Sequence, residues 1–239
     1  MKALLKKTLR KIGLEVQRFL PECSDAARMQ RILQYQEIDL VLDVGANVGQ
    51  YGRYLREIGY TGKIISFEPL SSAYEQLTAV SRKVPLWEIA PCAAIGNRDG
   101  EITINISKNS VSSSTLPMLA LHRSVAPEAE YCASETVKIF KLDTIASAYI
   151  DKNSHSMYLK IDVQGQEMHV LEGASQILRS VKGIQLELSL VPLYEGETLF
   201  RDMLDYLGKL GYELYAVIPG FTDMKSGRLL QLDGIFFRK

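Results

Sequence analysis

The chain has 239 residues, 28 Lys+Arg against 28 Asp+Glu, a formal net charge of zero, and 46 % hydrophobic residues. That length suits one domain with a sizeable core. The balanced charge removes the electrostatic case for a nucleic-acid partner, and no apolar run approaches the roughly 20 residues of a membrane-spanning helix. The three cysteines, Cys23, Cys92 and Cys132, form no C-x-x-C pair; they read as free thiols in a reducing, cytoplasmic compartment. The three histidines, His122, His155 and His169, lack zinc-ligand spacing.

The first segment, "MKALLKKTLRKIGLEVQRFLP", has no uninterrupted apolar stretch and no cleavage site of a signal peptide. Leu4, Leu5, Leu9, Ile12, Val16 and Phe19 recur at helical spacing, and Lys2, Lys6, Lys7, Arg10 and Lys11 make the first half basic. It reads either as a helix packed on the domain or on a second subunit of a homo-oligomer, or as one lying on an anionic membrane surface. A second helical stretch covers about Asp25 to Gln36, so residues 1–36 are expected to form an N-terminal extension to a domain over 37–239.

From there "IDLVLDV", "GKIISFEP" and "LWEIAPCAAIG" read as strands. "VGQYGRYLREIG", ended by Gly59, and "SSAYEQLTAVSRK", capped by Ser71 or Ser72, read as the helices between them. This β-α-β-α-β order implies a parallel sheet with right-handed crossovers. "EITINIS" and "TVKIFKL" are short alternating strands of an inserted hairpin, about 100–141. The stretch between them, about Lys108 to Glu135, carries "SVSSST"; it is either a loop covering a site, through Ser112, Ser113 and Ser114, or a plain surface excursion. Strands "MYLKIDV" and "GIQLELSL", helices "GQEMHVLEGASQILRS" and "ETLFRDMLDYLGKLG", and an antiparallel edge from "YELYAVI" and "LDGIFFRK" complete the chain. The expected fold is α/β and Rossmann-like, with a mostly parallel seven-stranded sheet and an antiparallel edge strand.

"LDVGANVGQY" sits at a strand end before a helix, where doubly wound sheets bind ligands. Counted from Gly45, the G-x-G-x-x-G fingerprint fails at Asn47 and Gln50, and no G-K-[ST] follows, which disfavours a nicotinamide-dependent oxidoreductase and a P-loop. The remaining D-x-G-x-N-x-G resembles the first motif of S-adenosylmethionine-dependent methyltransferases, with Asn47 in the place of the middle glycine; Asn tolerates positive φ better than most residues. Glu68 ends the next strand, where a carboxylate can accept from both hydroxyls of a ribose.

Together "VLDVGANVGQY", "ISFEP", "AAIGNRDGE", "LDTI", "LKIDVQGQEMHVLEGA" and "LELS" resemble the FkbM-type methyltransferase family over about Val41 to Leu190. The resemblance implies a class I methyltransferase fold, S-adenosylmethionine as donor, and O-methylation of a hydroxyl on a sugar, glycan or natural product. It implies that Asp43, Gly45, Ala46, Asn47 and Gly49 line the methionine end of the cofactor, that Glu68 binds its ribose, and that Cys92 and Ala93 lie near its adenine. A non-catalytic nucleotide-binding or assembly module of the same fold is the competing reading.

Lys160 and Asp162 share one strand face, and Gln185, Glu187 and Ser189 share a face of the next strand. If the strands are neighbours, Lys160 pairs with Asp162 or Glu187, either as a structural ion network or as catalytic machinery. Asp162 is the first candidate for handling the acceptor and Glu187 the second, as base or, if a divalent metal takes part, as its ligands. His169 is the reserve base.

Overall fold

The computed structural model describes residues 2–150 and 156–238, with side chains from Lys7 onward. His155 and the side chains of Lys2, Leu4, Leu5 and Lys6 lie outside the described residues. The chain order is α1 (Lys2–Lys11), α2 (Asp25–Tyr35), β1 (Leu40–Val44), α3 (Gln50–Glu57), β2 (Lys63–Phe67), α4 (Ser71–Ser81), β3 (Trp87–Ile89), β4 (Ala94–Gly96), β5 (Gly100–Ser107) and α5 (Ala120–Val125). It continues with β6 (Tyr131–Lys141), α6 (Leu142–Ile145), β7 (Met157–Ile161), α7 (Glu167–Glu172), β8 (Val181–Ser189), α8 (Phe200–Lys209), β9 (Tyr212–Pro219) and β10 (Gln231–Arg238).

Seven strands form one sheet in the order β3-β2-β1-β7-β8-β10-β9. All pair in parallel except β10, which runs antiparallel to both β8 and β9. The antiparallel edge is therefore the β9–β10 pair, with β10 inserted beside β8 and β9 outermost. β1 and β7 are buried along their whole length, as central strands of a sheet covered on both faces must be. One face packs on Leu171, Leu178, Met203 and Leu207 from the later helices. The other packs on Met29, Ile32 and Leu33 of α2 and Leu55 of α3. α2 thus belongs to the core of the domain rather than to an extension before it.

Four local expectations differ from the structure. The strand read through "LWEIAPCAAIG" splits: β3 ends the main sheet, and β4 joins β6 and β5 in a separate three-stranded sheet. The helix after β7 stops at Glu172, because Gly173 follows and the Asp143 carboxylate takes the N–H groups of Gln176 and Ile177, starting a new turn. Neither Ser71 nor Ser72 caps α4; the Ser71 hydroxyl donates to Glu135 instead, tying the helix to β6. The first helix also ends earlier than its apolar spacing suggests, at Lys11, where the chain turns through Gly13.

Candidate functional site

The loop from β1 to α3 is shaped by backbone. Gly45 has φ +81°, and a Cβ there would stand 1.8 Å from the Asp162 carbonyl oxygen, so the loop lies directly on the chain leaving β7. Asn47 takes φ +47°. Its side-chain oxygen accepts from the N–H of Val48 at 2.7 Å, the local bond that makes this conformation tolerable for Asn. Gly49 sits at the helix cap with φ +86°, facing Leu77 and Trp87 rather than the cavity. Glu68, 4 % exposed, accepts from the N–H of Asn47 at 2.8 Å and from that of Leu70 at 2.9 Å. Burial pushes its carboxyl up to about 7, against the pull of those two donors.

Beyond the loop lies a cavity of about 710 Å³, at the carboxyl ends of the parallel strands. That is within the ~300–1,000 Å³ of pockets that enclose small molecules. One end is apolar, lined by Phe67, Leu70, Ala93, Ile95, Ile104 and Ile139. The other is polar and is built by register. Ser66, Asp43, Lys160 and Gln185 are successive cross-strand partners on β2, β1, β7 and β8, forming one row across the sheet. One pleat further toward the cavity, Asp162 follows β7, and Glu187 on β8 faces Asp233 on β10.

The second row is knitted by side chains. Lys160 Nζ lies 2.9 Å from Asp162 Oδ2; the lysine side chain is 7 % exposed and the aspartate 36 %. Gln164 Nε2 donates to Asp162 Oδ1 at 2.8 Å and to Glu187 Oε2 at 2.9 Å. Gln231 Nε2 donates to the same Glu187 oxygen at 2.9 Å. Burial disfavours the charge on Lys160, but Asp162 and Asp43 outweigh it and hold its pKa above the ordinary value. Burial, then the nearby Asp162 and Glu167, drives Glu187 well above the carboxylate range. Asp233 is raised for the same first reason. Asp162 is the accessible carboxylate beside a fixed cation, and Glu187 is the buried one behind it. In the first row, Trp87 Nε1 donates to Ser66 Oγ, and Ser66 Oγ donates to Asp43 Oδ2, both at 3.0 Å. The other Asp43 oxygen is buried without a hydrogen-bond partner.

The Lys108–Glu135 stretch is ordered by its own side chains. Asn109 Oδ1 accepts from the N–H of Ser112 at 3.1 Å and from the hydroxyl of Ser107 at 2.8 Å. Ser110, Val111, Ser113, Ser114 and Thr115 line the cavity, and Ser114 Oγ donates to the Gln164 carbonyl at 2.6 Å. Tyr194 reaches the same place from the loop after β8, donating to Gln164 Oε1 at 2.8 Å.

A family model described as "Methyltransferase FkbM domain" matches residues 43–214, most of the chain, from the end of β1 into β9. The chain belongs to the FkbM methyltransferase family. Among curated proteins none matches its sequence. Its backbone is similar to that of a solved fibrillarin/Nop5p complex, at 14 % identity and TM-score 0.49, with 93 % of this chain and 84 % of the other covered. It is also similar to precorrin-6y C5,15-methyltransferase from Geobacter metallireducens GS-15, at 12 % identity and TM-score 0.46, with 90 % and 87 % covered.

In this methyltransferase Gly45, Ala46, Asn47, Glu68, Ala93, Ser113, Ser114, Lys160, Asp162 and Glu187 all line the one cavity. Four residues expected beside them do not. Asp43 is wholly buried beneath the loop. Gly49 faces Trp87. Ser112 is turned inward, its carbonyl accepting from Tyr194. The Cys92 thiol donates to the Pro69 carbonyl at 3.2 Å and borders a separate groove with Glu135 and Tyr149, because the chain bends there between β3 and β4 of the two sheets, and the cavity is lined from Ala93 onward. His169 is on the rim, against Gln166. Sequence reasoning placed Gln185 on the polar face of its strand without giving it a role, and missed Gln164, Tyr51 and Asp233. Gln164 lies inside "LKIDVQGQEMHVLEGA"; Asp233, in "LDGIFF", carried no signal until β10 was paired with β8. Among the described residues no group of three or more His, Cys, Asp or Glu is arranged to hold a metal ion.

Proposed function

We propose that the chain transfers a methyl group from S-adenosylmethionine to a hydroxyl, on a sugar, glycan or natural product, in the cytoplasm. The observation that carries this reading is the half-exposed Asp162 carboxylate, fixed by Lys160 and Gln164 against the Gly45 loop. Methyltransferases of this family draw on S-adenosylmethionine in general, and the cavity's chemistry fits it. The apolar end with small Ala93 suits a flat adenine. Glu68 has lone pairs left for ribose hydroxyls. The close-packed, positive-φ loop lets backbone approach the methionine part.

When bound, the cofactor supplies an electrophilic methyl carbon. Asp162 accepts the hydrogen bond of the acceptor hydroxyl and takes its proton as the methyl carbon passes from the sulfonium sulfur, left as a neutral thioether, to that oxygen. Lys160 holds the Asp162 carboxylate in place and is the cation already at hand beside it. Glu187, whose ionisation burial and the nearby Asp162 disfavour, is held by Gln164 and Gln231 and lines the cavity behind Asp162.

Transfer of labelled methyl to a panel of sugar, alcohol, amine and thiol acceptors tests the reading. Asp162→Asn keeps the shape and removes the charge. It is expected to cost about 10²–10⁴-fold in turnover, the usual worth of a general base, with cofactor affinity changed little. Label found only on nitrogen or sulfur acceptors, or turnover that survives the substitution, rejects it.

A further inference from the structure

Among the described side chains, residues 7–20 form a segment that the catalytic domain leaves almost wholly uncovered. After α1 the side chains of Ile12, Leu14, Val16, Phe19 and Leu20 are 69, 55, 55, 59 and 40 % exposed. None joins any buried cluster among the described residues. A run of apolar side chains this dense in so short a segment is uncommon on a surface that meets only water. The charge beside it is one-sided. Lys7, Arg10 and Lys11 are exposed. Lys2, Lys6 and Arg18 add positive charge in the sequence, and Glu15 is the only acid before Glu22. Glu15 pairs with Arg10.

The segment also has a fixed place relative to the cavity. The carbonyl of Gln36, just past α2, accepts from Ser156 before β7 and Lys182 in β8, so the end of α2 lies at the amino ends of the strands. Its eleven residues run back about 16 Å. The first turn is therefore at the carboxyl ends, where Ala26 packs in the same cluster as Tyr51 and Tyr54. Both tyrosines line the cavity. Asp25 is close enough that, after burial, it is the next cause raising the Tyr54 phenol to about 12. The uncovered segment thus joins the domain beside the cavity mouth.

We propose that residues 2–20 dock this methyltransferase on an anionic membrane surface, with the cavity mouth on the docked side. Basic residues draw the segment to acidic headgroups, and Ile12, Leu14, Val16, Phe19 and Leu20 enter the headgroup–acyl boundary. Neither force alone gives stable docking, and the segment supplies both. No helix among the described residues is long and apolar enough to cross a membrane, so attachment is peripheral.

Flotation of the full chain with phosphatidylcholine vesicles, with and without 30 mol% phosphatidylglycerol, tests this. Binding to the anionic vesicles is expected, falling as salt rises, with little binding to neutral ones. Lys7→Glu/Arg10→Glu/Lys11→Glu, and separately Ile12→Ser/Val16→Ser/Phe19→Ser, should each lower the bound fraction about tenfold or more, with thermal unfolding and cofactor binding unchanged. Orientation is read from a fluorophore at Val111→Cys, on the cavity rim, against one at Arg179→Cys, at the amino ends of the strands, on a cysteine-free background. Spin-labelled lipid should quench the first and spare the second. Absence of flotation, equal binding to neutral vesicles, or equal quenching overturns the proposal. So does a dimer that the serine variant dissolves without loss of vesicle binding, which makes the segment a subunit interface. These readouts need no methyl acceptor and stand or fall apart from the hydroxyl-transfer reading.

Discussion

The two ends of the cavity are held by different means. Around the Gly45 loop, polar groups are matched to main chain: Glu68 to the N–H groups of Asn47 and Leu70, and the N–H groups of Gly45 and Ala46 to the Phe67 carbonyl. Around Asp162, side chains from β7, β8, β10 and the loop after β7 are matched to one another through Lys160, Gln164 and Gln231. The first arrangement tolerates side-chain change and not backbone change. The second depends on several amides and carboxylates keeping their hydrogen-bonding roles together.

The sharpest way to break this contrast is Gly45→Ala. One methyl group meets the Asp162 carbonyl and an unfavourable φ together, so the loop must move. The expected cost is about 4 kcal/mol in stability, the range of strained or overpacked sites, with loss of cofactor binding by calorimetry. A variant with near-normal stability and affinity would mean that the loop is not sterically fixed.

The next effect is a pH slope. Glu68 and Glu167 are each raised by burial from 4.5 to about 7. A carboxyl raised on folding contributes stability that is full below about 4.5 and lost as pH rises through about 7. The ligand-free protein should therefore lose on the order of 3 kcal/mol per group across that window. Denaturant unfolding at several pH values should show a flatter slope for Glu68→Gln and Glu167→Gln than for the wild type. Parallel slopes would show that neither group is protonated by folding. Glu167 accepts from the N–H groups of Val163 and Gly165, so it props the acceptor end by the backbone style of the donor end.

The smallest effect sharpens the side-chain half. Tyr194→Phe removes the hydroxyl that orients the Gln164 amide. About 1 kcal/mol of stability is expected to go, with kcat falling several-fold and KM moving less. An unchanged kcat would leave Gln164 positioned by its two carboxylate contacts alone.

The contrast also explains what the sequence made legible. The strand–loop–helix at "LDVGANVGQY" and the acid ending "IISFE" are local, so glycine spacing and strand alternation expose them directly. Lys160 and Asp162 were legible as one strand's polar face, and their pairing needed no tertiary information. Asp233 and Gln231 were not legible, because their meaning comes only from β10 lying antiparallel on β8. Cys92 was misplaced because alternation cannot reveal that the chain bends between β3 and β4 into a second sheet. The N-terminal helix was read too long, since its apolar spacing continues through Val16 and Phe19, past the turn at Gly13.

One feature of the buried row gives the protein a built-in optical reporter. Trp87 is the only tryptophan in the chain. Its ring packs on Gly49 and Gly52, where an added Cβ would stand 3.1 Å and 2.2 Å from it, and its indole N–H begins the chain through Ser66 to Asp43. The indole therefore touches both the back of the loop and the far end of the charge row. A ligand that tightens that loop, or a change in the charge on Asp43, alters the field and the rigidity at a single emitter, so occupancy of the cavity can be followed by intrinsic fluorescence without a label.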